Sequence, residues 1–82
     1  MPKRLKFGSE KNIVGRRLKD LREKSGMTQR ELSEKFQLAG YDMDRNVITR
    51  METNQRYITD IEIQAICEVF HVSYNFLFGI EE

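Results

Sequence analysis

The sequence predicts an all-α fold, a compact domain of five helices, and three observations carry that expectation. No stretch alternates apolar and polar residues for more than a few positions, as a half-buried strand would. Two segments carry complete helix-start signatures, and apolar residues recur at i, i+3, i+4 and i+7.

Helices are expected at about 12–25, 29–39, 45–53, 60–70 and 74–78. In the first, Val14, Leu18 and Leu21 form one stripe, Gly26 is a plausible stop, and Gly15 is the one glycine inside a helical pattern. The second opens on Thr28-Gln29-Arg30-Glu31, a capping box in which hydroxyl and carboxylate each satisfy an end N–H, with Met27 and Leu32 in the flanking staple positions. Leu32, Phe36 and Ala39 face inward, and Gly40 ends it. Asp44 caps the third helix. Thr59-Asp60-Ile61-Glu62 repeats the box for the fourth, with Ile58 and Ile63 as staple and Ile63, Ile66, Cys67 and Phe70 as stripe. Ser73 caps the short fifth, which Gly79 closes. The expected core is Leu18, Leu21, Leu32, Phe36, Ile48, Met51, Ile63, Ile66 and Phe70.

Eighty-two residues, 39% of them hydrophobic, allow one domain with one core. The expected organisation is a flexible basic arm over 1–11, the domain over 12–79 and an acidic tail over 80–82. One cysteine excludes an internal disulfide, and Cys67 with His71 offers only two of the ligands a metal site needs. No apolar segment follows the basic start, and no run approaches the ~20 residues that span a bilayer, so a cytoplasmic protein with no membrane association is expected. The basic first helix has a narrow apolar stripe without Trp or Phe, which suits core packing better than a lipid surface. No base beside a nucleophile, phosphate loop or metal motif occurs, so neither enzymatic activity nor a cofactor is expected.

The third helix separates its chemistry around the axis. Steps of about 100° place Arg45, Asn46, Thr49 and Arg50 on one arc and Val47, Ile48 and Met51 opposite. Arg can bind guanine bidentately, Asn can bind adenine, and Thr can hydrogen-bond a base or touch a thymine methyl. Polar residues on the outer face of any surface helix would look the same, so the neighbouring features decide.

Those features are Leu18-x-x-Leu21-Arg22, Ser25-Gly26-Met27-Thr28-Gln29-x-Glu31-Leu32, Ile48-Thr49-Arg50-Met51-Glu52, and Ile66 through Val72-Ser73 to Leu77. Together they resemble the phage Cro/repressor-type helix-turn-helix family over about residues 12–79. The resemblance implies a lambda-repressor-like five-helix domain that binds double-stranded DNA sequence-specifically, most often as a homodimer and transcriptional regulator such as a repressor. It places Arg45, Asn46 and Arg50 at base-reading positions, with Thr49 beside them, and Gln29 on a DNA phosphate at a helix N-terminus. Thr28, Asn54 and Arg56 are further phosphate candidates, and Arg22 and Glu52 match an ion pair that ties the first helix to the third.

Two departures stand out. Glu52-Thr53-Asn54-Gln55 replaces the usual Glu-Asn-Gly-Lys, with Asn54 where glycine takes a left-handed conformation. The stretch from Leu38 to Met43 is also about a turn longer than in the shortest members. Tyr74, Phe78 and Ile80, with Phe76, put much apolar area in the region that contributes to dimerisation in this family, and are the dimer-interface candidates. A second reading keeps the shape but gives it a protein partner, as an antitoxin-like or polymerase-binding module. The net charge of +1 conceals a gradient: residues 1–30 balance to +7, 31–60 to −2 and 61–82 to −4. A basic end of this kind suits a DNA-facing surface.

Overall fold

A computed structural model describes residues 10–80. Among them are five helices and no strand: α1 (Gly15–Lys24), α2 (Gln29–Leu38), α3 (Arg45–Glu52), α4 (Asp60–Phe70) and α5 (Tyr74–Phe78). Most of the expected basic arm and two residues of the acidic tail lie outside the described residues.

Local chemistry sets the helix starts. Both capping boxes are formed: Thr28 Oγ1 accepts from Glu31 N while Glu31 Oε1 accepts from Thr28 N, and Thr59 and Glu62 do the same. Asp44 and Ser73 cap α3 and α5 through Val47 N and Phe76 N. Helix α1 starts later than the expected residue 12. The Asn12 side chain takes the Gly15 N–H at 2.8 Å and holds residues 12–14 outside the helix.

The core is Val14, Leu18, Leu32, Phe36, Met43, Ile48, Met51, Ile63, Ala65, Ile66 and Leu77, each worth about 1.5–3 kcal/mol for the larger side chains. Leu21 and Phe70, expected in the core, are only half-buried and pack against its edge. Four residues outside the expected list, Val14, Met43, Ala65 and Leu77, fill the space. Leu77 of α5 is 1% exposed and closes the base of the bundle; Met43 is 3% exposed and comes from the long connector. The extra turn between α2 and α3 is thus a packed segment. It is also strutted by Tyr41, whose hydroxyl donates to Glu68 of α4 at 2.5 Å, a bond that raises the phenol's pKa.

Helices α1 and α3 cross with their backbones in contact. A Cβ on Gly15 would stand 1.9 Å from the Met51 carbonyl oxygen, so only glycine fits there.

Candidate nucleic-acid interface

The fold presents α3 with one face sealed and the other open. Ile48 and Met51 are fully buried, whereas Arg45, Asn46 and Arg50 are exposed side by side. An eight-residue helix has little stability of its own, so this anchoring is what holds it.

A chain of polar contacts runs along the edge of that face. Glu52 accepts from Arg22 Nε at 2.8 Å and Nη2 at 3.0 Å, and Arg22 Nη1 donates to the Met27 carbonyl at 2.8 Å. The two side chains are 11% and 2% exposed. Hydrogen bonding to Glu52 raises the Arg22 pKa further, against the opposing effect of burial. Gln29 Nε2 donates to Glu52 Oε1 at 3.0 Å, and Thr49 Oγ1 donates to Gln29 Oε1 at 2.6 Å. The end of α1, the start of α2 and the outer face of α3 are thereby joined by one relay of hydrogen bonds.

A second set of bonds fixes the far end of α3. Asn54 adopts φ 60°, the left-handed conformation that ends the helix, with Gln55 N donating to the Arg50 carbonyl. Asn54 Oδ1 accepts from the backbone N–H groups of Lys11 and Asn12 at 2.8 and 3.1 Å. In return Asn12 Nδ2 donates to the carbonyls of Met51 and Arg56 at 3.1 and 2.9 Å. Two asparagines more than forty positions apart thus each hold the backbone of the segment around the other. Lys11 also lies over the Tyr57 ring at 5.5 Å.

The expected site residues therefore fall into four groups. Arg45, Asn46, Thr49 and Arg50 share a surface with Gln29 beside them, and Arg22 and Glu52 are paired behind it. Three phosphate candidates are engaged within the fold: the Thr28 hydroxyl by Glu31 N, the Asn54 carbonyl by residues 11 and 12, and Arg56 Nη1 by Glu62 at 2.9 Å. Tyr74, Phe78 and Ile80 are 53%, 40% and 57% exposed, and Tyr74 and Phe78 line an apolar groove with Ile58, Ile61 and Ile63.

Sequence reasoning missed Asn12 and the close approach at Gly15. The signals were an asparagine three residues before the helix and a glycine inside a helical pattern, the mark of a near neighbour. Among the described residues no group of His, Cys, Asp or Glu could hold a metal, and no helix is long and apolar enough to cross a membrane.

A family model described as helix-turn-helix matches residues 18–77, the greater part of the chain. No curated protein matches it.

Proposed function

The chain belongs to the Cro/repressor-type helix-turn-helix family, a family of DNA-binding regulators, and from that premise we propose that α3 reads base edges in the major groove of double-stranded DNA. One observation carries this reading: Arg45, Asn46 and Arg50 are exposed together on a helix that buries Ile48 and Met51 completely on its opposite face. Such a helix enters the groove as a rigid body, with guanine- and adenine-reading side chains foremost. Gln29 supplies the phosphate contact, because Glu52 takes one of its two amide hydrogens and the α2 N-terminus adds free N–H groups.

The protein acts as a homodimer and transcriptional regulator. Exposed Ile61, Tyr74, Phe78 and Ile80 supply apolar area for a two-fold contact, which would set two α3 helices about one DNA turn apart. That same patch is what favours the second reading, a surface for a protein partner.

Selection of bound sequences from random DNA tests the proposal. A palindromic consensus is the expected result, with binding that falls as salt rises at a log–log slope of about −0.9 per phosphate neutralised. A flat salt response, or no retention on DNA at low salt, would favour the protein-binding module.

A further inference from the structure

Thr49 is the one residue of the α3 face whose hydrogen-bonding sense is fixed by the fold. Its hydroxyl carries one hydrogen, and two acceptors inside the protein compete for it: Gln29 Oε1 at 2.6 Å and the Arg45 carbonyl at 3.0 Å. The Gln29 amide cannot turn round to offer a donor instead. Its Nε2 is required by Glu52, a carboxylate already bound in two places by Arg22 and able only to accept. Whichever inner acceptor takes the hydrogen, only oxygen lone pairs remain to face outward.

We infer that Thr49 is a specificity-determining residue that reads a base as a hydrogen-bond acceptor, and so selects the exocyclic amine of adenine or cytosine. This rests on the major-groove reading above. In that groove the only donors are adenine N6 and cytosine N4, whereas guanine O6 and N7, adenine N7 and thymine O4 all accept. A phosphate offers acceptors alone, so the Thr49 hydroxyl is equally mismatched to the DNA backbone. Its usual freedom to donate or accept is removed by a relay that starts at a largely sheltered arginine: Arg22 to Glu52, Gln29 to Glu52, Thr49 to Gln29.

The test begins with binding of the full chain to its selected site, each base pair being changed in turn, for the wild type and for Thr49→Val. Valine keeps the shape and loses the hydroxyl. One base pair should lose its preference in the variant, and the preferred base there should be adenine or cytosine. The amine is then deleted in the DNA, using purine for adenine or 2-pyrimidinone for cytosine. Wild type should weaken roughly three- to tenfold on the deleted site, and Thr49→Val by no more than the cost of the base change itself. Thr49→Ser, which keeps the hydroxyl, should restore the preference.

A variant that flattens preference for guanine or thymine would overturn the inference, as would one that changes no base preference while Arg50→Ala does. Failure to select any sequence at all would instead overturn the DNA-reading proposal, so the two failures are distinct.

Discussion

Arg22 and Glu52, thirty positions apart, meet through two N–H···O contacts of 2.8 and 3.0 Å, with the carboxylate side chain only 2% exposed. A pair this sheltered is held by geometry, and the loss of one member strands the other. Glu52→Ala leaves the Arg22 guanidinium nearly buried without its counter-ion and takes a hydrogen-bond partner from Gln29, so a loss of about 3 kcal/mol is expected. Replacing both residues by methionine should cost less than the Glu52→Ala change alone. Urea unfolding of the single and double variants measures the difference.

Arg50→Ala should act on binding while leaving folding nearly unchanged, since the residue is exposed. The expected loss is about 1–3 kcal/mol at one base pair, with binding to random DNA far less affected. Titrations on specific and random duplexes at one salt concentration check it; equal losses on both would contradict base reading by Arg50.

Gly15→Ala should be among the most damaging single-methyl additions in the chain. The new Cβ meets a backbone oxygen at 1.9 Å, and neither helix can yield without shifting the core between them. Overpacking of this kind costs about 3 kcal/mol or more. In a domain of this size that lowers Tm by about 12 °C or more, readable by circular dichroism.

Acid should weaken α2 through Glu31. Its hydrogen bonds with Thr28, chiefly the one to the backbone N–H, hold the carboxyl below its ordinary pKa of 4.5. A folded-state value below the unfolded one contributes stability that is present above the unfolded value and lost as pH falls through the folded one. Glu31→Gln should therefore have a lower Tm than wild type near neutrality, with the gap closing as pH falls below about 4.5. A gap independent of pH would remove the charge from the explanation.

Features set by near neighbours along the chain are legible in the sequence itself. Thr28 with Glu31 and Thr59 with Glu62 satisfy the ends of their own helices within four residues, and the two faces of α3 follow from its pitch. Contacts that depend on how the helices cross are not legible in this way. Nothing local says that Glu62 captures Arg56, or that the Asn54 carbonyl is spent on residues 11 and 12. The Gln29–Thr49 bond belongs to the same class: it exists because the start of α2 lies against the outer edge of α3.

The Asn12–Asn54 clasp bears on the heat of complex formation. A loop that folds only when it meets DNA leaves a large negative heat-capacity change in calorimetry and spends part of the contact energy on its own ordering. Here Asn12 and Asn54 already hold the segment after α3 through four hydrogen bonds. Association should then show the modest heat-capacity change of two preformed surfaces. Cutting the clasp with Asn12→Ala should make that change more negative, because ordering is moved from the folding of the protein to its encounter with the duplex.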